Sequence, residues 1–183
     1  MRIIAGEYRS RRIKTLNGMD VRPTPDRLRE ALFNVLAPRL PGAVFVDAYA
    51  GCGSVGIEAI SRGAESAIVV DSNSQSIKLI EENTKRCKFE AKIRIMQQEV
   101  KAALPRLVSE APFDLILLDP PYNRELIPQV LETIESLQLL CEDGIICAES
   151  ASNESITDCG KLQLTESRKY GASTIHLFSW NED

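Results

Sequence analysis

The sequence predicts one α/β domain around a seven-stranded sheet that is mostly parallel and ends in an antiparallel hairpin. Between residues 43 and 149, short apolar runs alternate with segments of helical period, as in parallel strands joined by helices. The final stretch, 161–180, lacks a helical period and carries Tyr170 and Gly171 between two extended runs, which indicates a hairpin on the sheet edge. The chain has 183 residues, enough for one domain and a small appendage.

The appendage is predicted at residues 1–22, as a small N-terminal β extension. Apolar and polar positions alternate weakly there, and Gly6, Asn17 and Gly18 favour turns between short antiparallel strands. This extension is expected to be distinct from the main domain, which is predicted to span residues 23–183.

A helix is predicted to open the main domain. Thr24 suits the N-cap, because its hydroxyl can accept a hydrogen bond from a free backbone N–H, and Pro25 suits the first helical position. Apolar residues recur on one face until Pro38 ends the helix. The next elements are strands at 43–48, 66–71, 92–96, 113–119 and 143–149, and helices at 54–61, 74–86, 99–108 and 124–138.

A glycine-rich loop follows the first of these strands. The run Val44 to Asp47 of this strand leads into the loop, where Gly51 and Gly53 let the backbone turn tightly and approach a ligand closely. Asp71 ends the next strand, where its carboxylate can accept two hydrogen bonds from a ribose diol, so the spacing suits a nucleoside. The same spacing fits the dinucleotide-binding fingerprint, because Gly56 completes the glycine pattern and Asp71 lies about 20 residues further on.

A second motif helps to separate these interpretations. In open α/β sheets, ligands bind beyond the carboxyl ends of the strands. At the end of the apolar run 113–118, a carboxylate, a carbonyl group and an aromatic ring emerge together, in the sequence Asp119, Pro120, Pro121 and Tyr122. A hydride-transfer enzyme has no need of this motif, and the remaining chain is too short for a separate substrate domain.

Composition narrows the class of protein. No apolar stretch approaches the roughly 20 residues of a membrane span, and the N-terminus lacks the apolar stretch of a secretory signal, so a cytoplasmic protein is expected. The five cysteines are odd in number and form no Cys-x-x-Cys pair, which favours reduced thiols. The sequence has a single histidine, His176, without partner ligands, so no metal site is expected.

Positive charge is concentrated at the N-terminus. Residues 1–39 hold nine basic and four acidic side chains, whereas the rest of the chain holds 13 basic and 22 acidic ones. The net charge of the whole chain is −4. Cations gathered on one surface gain affinity for nucleic acid by releasing condensed counterions, so a phosphate-binding segment is predicted; the alternative is a solvated basic loop. The residues expected to contact nucleic acid are Arg9, Arg11, Arg12, Lys14, Arg22 and Thr24.

With these motifs, the chain resembles the class I S-adenosylmethionine-dependent methyltransferases, and more narrowly the RsmD-type bacterial enzymes that methylate N2 of a guanine in small-subunit (16S) ribosomal RNA. The resemblance covers nearly the whole length and rests on an ordered set of segments: 1–6, 22–34, 47–56, 61–64, 113–122 and 169–171. It implies a Rossmann-like fold, S-adenosylmethionine as cofactor, and ribosomal RNA as partner, within a 30S subunit or an assembly intermediate. A monomer is expected.

The resemblance also implies a role for each site residue. The loop after the first strand holds the methionine part of the cofactor, Asp71 holds the ribose, and residues 119–122 hold the target amine. The cofactor-binding residues identified in this way are Asp47, Tyr49, Ala50, Gly51, Gly53, Asp71, Ser72, Glu99, Val100 and Asp119, and the catalytic residues are Asp119, Pro120, Pro121 and Tyr122.

Two positions depart from the family pattern. Tyr49 stands where the family usually has Phe, and Glu99 stands where it usually has an aspartate beside the adenine. A glutamate is one methylene longer, and its carboxylate can still accept a hydrogen bond from the adenine amino group.

Other functions stay open at this stage. A DNA adenine-N6 methyltransferase can carry the same amine-holding motif, although reading a duplex usually needs an added recognition domain. A cytosine-C5 enzyme would need a cysteine nucleophile, and Cys52 lacks an activating partner in the sequence. An NAD-dependent oxidoreductase, or a cofactor-binding module without catalysis, would account for the glycine-rich loop and Asp71 but not for residues 119–122.

Overall fold

A computed structural model of the chain describes residues 1–15, 26–122 and 124–181. Within these residues, seven strands form one mixed sheet. The strands are β1 (Val44–Asp47), β2 (Ser66–Asp71), β3 (Ile93–Gln97), β4 (Phe113–Leu118), β5 (Leu140–Ala151), β6 (Leu162–Tyr170) and β7 (Ser173–Trp180). The α-helices are α1 (Asp26–Leu36), α2 (Ser54–Ser61), α3 (Ser74–Cys87), α4 (Val100–Ala103) and α5 (Leu126–Ser136), and 3-10 turns lie at Ala37–Arg39 and Leu104–Leu107.

The order of the strands across the sheet creates a ligand crevice. It runs β3-β2-β1-β4-β5-β7-β6, with β1 to β5 parallel and β7 antiparallel to both of its neighbours. After β3 the chain returns to the other side of β1 to form β4, so the winding direction reverses between β1 and β4. Open α/β sheets bind ligands at such a switch point, beyond the carboxyl ends of the strands. The predicted fold class, α/β with a C-terminal antiparallel hairpin, is confirmed.

Some element boundaries differ from the prediction. The helix predicted at 99–108 is α-helical only to Ala103 and continues as a 3-10 turn, because Pro105 has no N–H and its ring clashes with the carbonyl four residues earlier. The strand predicted at 143–149 is longer, since β5 pairs with β4 on one side and with β7 on the other. The helix predicted at 124–138 begins only at Leu126, after Glu125 adopts a φ of 50°. The helix start predicted at Thr24 and Pro25 lies outside the described residues.

Each face of the sheet carries its own apolar core. Strand residues alternate between the two cores, so that Phe45 points to one and Val46 to the other, as the two-residue period of a strand requires. The first core lies against α1, α2 and α3, and the second against α4 and α5. Among the described residues, no helix has the length and apolar composition that crossing a bilayer requires.

The N-terminal segment, residues 1–15, packs onto the first core. Ile3 and Ile13 are buried there, and Arg2 and Arg12 form an antiparallel bridge that folds the segment back on itself. The division between this segment and the main domain at residue 22 stays a prediction, because residues 16–25 lie outside the described part of the chain.

A buried carboxylate anchors the N-terminal segment to α2. Glu58 is fully buried and accepts hydrogen bonds from the backbone N–H groups of Ile4 (2.8 Å) and Ala5 (2.9 Å). It also accepts a charge-assisted hydrogen bond from Arg62 Nε at 2.8 Å. Because a buried carboxylate is costly unless it is hydrogen-bonded, these contacts hold residues 4 and 5 in a fixed position on the domain.

Candidate active site

A cavity of about 1010 Å³ opens at the switch point of the sheet, beyond the carboxyl ends of β1 and β4. Its size suits a nucleoside with a second group beside it. Of the residues that the sequence analysis assigned to catalysis and cofactor binding, all except Gly53 line this cavity: Asp47, Tyr49, Ala50, Gly51, Asp71, Ser72, Glu99, Val100, Asp119, Pro120, Pro121 and Tyr122.

Glycine is required at two positions after β1. Gly53 adopts a φ of 77° immediately before α2, and a Cβ there would lie 3.1 Å from Ile80 Cγ1. Gly56 lies in α2 against β2, and a Cβ there would lie only 2.6 Å from Val69 Cγ1. The first glycine permits the turn, and the second lets α2 pack closely on the sheet. Gly53 therefore shapes the loop without lining the cavity.

The Asp71 carboxylate fixes the glycine-rich loop at the end of β2. Its Oδ2 accepts a hydrogen bond from the backbone N–H of Gly51 at 2.8 Å, and its Oδ1 accepts one from the N–H of Asn73 at 2.8 Å. A carboxylate offers about four lone-pair sites, so each oxygen can accept a further hydrogen bond from a ligand hydroxyl. Asp71 is therefore held in place by the backbone and still suited to a ribose diol.

Asp47 is an unusual buried acid at the end of β1. Only 1% of it is exposed, and neither carboxylate oxygen accepts a well-aligned hydrogen bond from the described residues, although the backbone N–H groups of Tyr49 and Gly56 lie nearby. Burial raises the pKa of Asp47 to about 7, and the charge of Asp71 adds to the rise. The backbone N–H groups of Tyr49 and Gly56 oppose this rise in part. Because Asp47 also lines the cavity, a cationic or hydrogen-bond-donating ligand group would relieve its unsatisfied oxygens.

The Asp47 pKa leads to a testable pH dependence. An acid with a raised pKa in the folded state makes folding less favourable as pH rises from its unfolded pKa to its folded pKa. We therefore compare the free energies of unfolding of Asp47→Asn and of the unmodified chain. The variant should gain stability relative to the unmodified chain between pH 3.8 and about 7, and the difference should then stay constant. Urea denaturation of the ligand-free protein across this range measures it. A difference that is constant with pH would contradict the raised pKa.

The end of β4 presents the residues assigned to catalysis. Pro120 is buried, whereas Pro121 and Tyr122 are exposed at the cavity mouth. The Tyr122 hydroxyl donates a hydrogen bond to Glu149 Oε1 and lies 2.8 Å from Ser173 Oγ. Burial and the hydrogen bond to Glu149 both raise the pKa of Tyr122, so its phenol stays protonated at neutral pH.

Tyr49 and Glu99 interact on another side of the cavity. Burial raises the pKa of Tyr49 to about 12, and the negative charge of Glu99 adds to this rise. The Tyr49 ring is half-buried and the Glu99 side chain is exposed directly before α4. The two positions that depart from the family pattern therefore lie close enough to influence each other.

Several residues that line the cavity were not predicted from the sequence. Asn73 lies two residues after the end of β2, Gln98 directly follows β3, and Glu149 lies near the end of β5. Gln98 Oε1 is buried and lacks a hydrogen-bond partner among the described residues. The rule that identified Asp71, that polar residues at the carboxyl ends of parallel strands face the ligand crevice, applies equally to these three positions.

Several of the residues expected to contact nucleic acid lie on the N-terminal segment in different environments. Arg9 and Arg12 are exposed. The Arg11 guanidinium lies over the Tyr8 ring, 4.6 Å from its centroid. Lys14 forms an ion pair with Glu82 on α3, and both side chains are about half exposed. Arg22 and Thr24 lie outside the described residues.

A buried amide connects the N-terminal segment to the glycine-rich loop. Asn83 of α3 is fully buried, and its Nδ2 donates hydrogen bonds to the carbonyl groups of Lys14 (2.9 Å) and Cys52 (2.9 Å). Its Oδ1 accepts a hydrogen bond from the Lys14 N–H at 2.9 Å. The next residue, Thr15, lines the cavity. The N-terminal segment therefore leads directly to the cavity wall.

Comparison with known proteins identifies a family and close structural relatives. The model of the family described as Conserved hypothetical protein 95 matches residues 1–179. The Bacillus subtilis protein YlbH, provisionally named as an rRNA methyltransferase, is 33% identical over 97% of this chain and 98% of its own length. Ribosomal RNA small subunit methyltransferase D of Escherichia coli K12 is 31% identical over 82% of this chain and 74% of its own.

A solved structure agrees with this grouping. The Escherichia coli protein yhhF, provisionally described as a methyltransferase, superposes with a TM-score of 0.86 and is 27% identical, covering 100% of this chain and 99% of that one. The similarity extends over the N-terminal segment, the glycine-rich loop and the C-terminal hairpin alike.

Proposed function

This chain belongs to the Conserved hypothetical protein 95 family of RsmD-type methyltransferases, and we propose that it methylates the exocyclic N2 amine of a guanine in small-subunit ribosomal RNA. The observation that carries the proposal is the placement of Asp119 and Tyr122 at the mouth of a nucleoside-sized cavity beside the glycine-rich loop. The names of the relatives support ribosomal RNA as the substrate class. Guanine N2 is the finer part of the proposal and rests on the chemistry below.

S-adenosylmethionine fits the residues that line the cavity. Its ribose diol would bind Asp71, and its cationic methionine part would lie near the buried, unpartnered carboxylate of Asp47. Gln98, with a buried unpartnered oxygen, and Glu99 supply polar groups for the adenine edge. When bound, this cofactor supplies an electrophilic methyl group on a sulfonium.

Asp119 and Pro120 prepare the amine for methyl transfer. The lone pair of an exocyclic guanine amine is delocalised into the ring. Methylation would form the N–C bond as the S–C bond of the sulfonium breaks, and it would leave the nitrogen tetrahedral and cationic until a proton is lost to solvent. The Asp119 carboxylate and the Pro120 carbonyl are both acceptors, so they would bind the two N–H groups and localise the lone pair. Such preorganised acceptors stabilise the developing positive charge more than the ground state, which lowers the barrier without a covalent intermediate.

Tyr122 would hold the target base at the cavity mouth. The residue is 39% exposed, enough for its ring to present a face to an extruded base. Stacking of a base on an aromatic ring contributes about 1 to 3 kcal/mol, against a cost of a few kcal/mol for unstacking the base from its neighbours. A guanine in a loop would cost less to extrude than one in a helix.

Methyl-labelling tests the proposed reaction directly. The protein is incubated with methyl-labelled S-adenosylmethionine and small ribosomal subunits from a strain that lacks its own enzyme, and the digested RNA is analysed by mass. We expect labelled N2-methylguanosine. Label on another ribosomal nucleoside would retain the methyltransferase and reject the guanine N2 target. Labelling of DNA adenine in a parallel reaction, with none in RNA, would favour the DNA adenine-N6 alternative.

The N-terminal segment is proposed to bind RNA phosphates through Arg9 and Arg12. Removing one cation that neutralises a phosphate should flatten the slope of log affinity against log salt by about 0.7 to 0.9. We expect Arg9→Gln and Arg12→Gln to show this change in a binding titration with the RNA substrate. Lys14→Gln is the matched control, because Lys14 is already paired with Glu82 and should contribute less. An unchanged slope in the double variant of Arg9 and Arg12 would exclude phosphate binding by these two residues.

A further inference from the structure

The Tyr122 hydroxyl forms hydrogen bonds that a phenylalanine at the same position could not make. It bonds to Glu149 of β5 and to Ser173, the first residue of β7. Glu149 is only 8% exposed, and both partners line the cavity. The neighbouring strands β5 and β7 therefore bind the hydroxyl end of the Tyr122 side chain, although Tyr122 itself lies in the loop after β4.

The chemistry of the three groups gives these hydrogen bonds a direction. An ionised carboxylate is an acceptor only, so the phenolic proton of Tyr122 is donated to Glu149. The Tyr122 oxygen can then accept the hydroxyl proton of Ser173. The result is a chain from Ser173 to Tyr122 to Glu149 that ends on a charged acceptor, and hydrogen bonds to charged acceptors are the stronger ones.

The register of the sheet places this chain of hydrogen bonds beside the catalytic motif. Leu118 of β4 pairs with Ala148 of β5, so Asp119 and Glu149 are the next residues on two adjacent parallel strands. Ser173 pairs with Ala151 near the end of the same β5 strand. The Tyr122 ring is thus tied to the strand next to the one that carries Asp119.

We propose that Glu149 and Ser173 are positioning residues, which fix the Tyr122 ring as a preformed stacking wall beside Asp119. This inference rests on the proposed function, since it assigns the fixed ring to the binding of the target base. A ring that is already ordered loses little conformational freedom when the base stacks on it. Because ordering favours the bound base equally in the ground state and the transition state, its loss should raise KM for RNA and leave kcat nearly unchanged.

A double-mutant cycle separates positioning from direct contact with the base. We expect Tyr122→Phe and Glu149→Ala each to raise KM for RNA by about tenfold, and the double variant to be no worse than either single one. Glu149→Gln preserves the side-chain shape and a neutral acceptor, and should give a smaller rise. Glu142→Gln, with the same charge change at an exposed position of β5, is the control expected to match the unmodified chain. The proposal would be overturned if the increases in KM of the two single variants multiplied in the double variant, or if kcat alone fell.

A second measurement does not depend on RNA or on methyl transfer. The protein has four tyrosines, so selective ¹³C labelling of their rings gives few NMR signals. The signal that disappears in Tyr122→Phe is that of the Tyr122 ring. We expect the Tyr122 ring to be ordered in the unmodified protein and mobile in Glu149→Ala and Ser173→Ala, with the Tyr8 ring unchanged. Equal ring order in all three proteins would overturn the positioning role, whereas an ordered ring in a protein that methylates no RNA would refute only the proposed function.

Discussion

Replacing Asp119 with alanine is expected to lower kcat for methyl transfer by about 10² to 10³-fold, the effect typical for a preorganised electrostatic group at a reacting centre. Asp119 lies directly after β4 at the cavity mouth, and in the proposed mechanism its carboxylate binds an N–H of the target amine. Alanine removes the acceptor and the negative charge that stabilises the cationic nitrogen. Although Asp119 is also assigned to the cofactor, cofactor affinity, measured by calorimetry, should fall far less than turnover does.

Two further variants define the cause of this fall in turnover. Asp119→Asn keeps one acceptor oxygen and should retain intermediate activity. Asp143→Asn removes an exposed carboxylate near the start of β5, far along the strand from Glu149, and should leave turnover unchanged. Turnover in Asp119→Ala equal to that of the unmodified enzyme would refute the mechanism.

Replacing Asp71 with asparagine is expected to weaken cofactor binding by about a hundredfold or more, since hydrogen bonds to a charged group contribute about 1.5 to 3 kcal/mol each. The carboxylate accepts the N–H groups of Gly51 and Asn73, and it is proposed to accept the two ribose hydroxyls as well. An asparagine amide has a single acceptor oxygen, and its NH2 group would face a backbone N–H. Calorimetric titration with the cofactor measures the change in Kd.

A neighbouring residue supplies the control for Asp71. The Asn73 side chain caps α3 by accepting the N–H groups of Gln75 (2.8 Å) and Ser76 (3.3 Å). Asn73→Ala should cost about 1 kcal/mol of stability, as removal of an N-cap does, yet it leaves the Asp71 carboxylate in place. If Asn73→Ala weakens cofactor binding as much as Asp71→Asn does, the shape of the turn and not the carboxylate determines affinity.

Local signals in the sequence were sufficient for most of the architecture. Apolar runs that end in Asp47, Asp71 and Asp119 predicted three parallel strands; the fold confirms them and places them side by side. Because parallel strands all present their carboxyl ends at one edge, these carboxylates can meet at one crevice. They do line one cavity. Their roles in binding and catalysis stay predictions.

Element ends were less predictable where a distant partner determines them. The β5 strand extends to Leu140–Ala151 because β4 and β7 pair with it on its two sides, and neither partner is local in sequence. The helix predicted at 99–108 was wrong in a different way, since Pro105 carried a local signal that favoured the 3-10 turn.

The sequence by itself determined the fold class, the glycine-rich loop and the line of acidic residues at the strand ends, because periodicity and turn chemistry act over a few neighbouring residues. Only the tertiary structure decided that Glu149 and Ser173 hold Tyr122, and that Asn83 joins the N-terminal segment to the glycine-rich loop. These side chains are 27 to 69 positions apart in sequence. Their meeting depends on sheet register and on how helices pack across it, which no local pattern encodes.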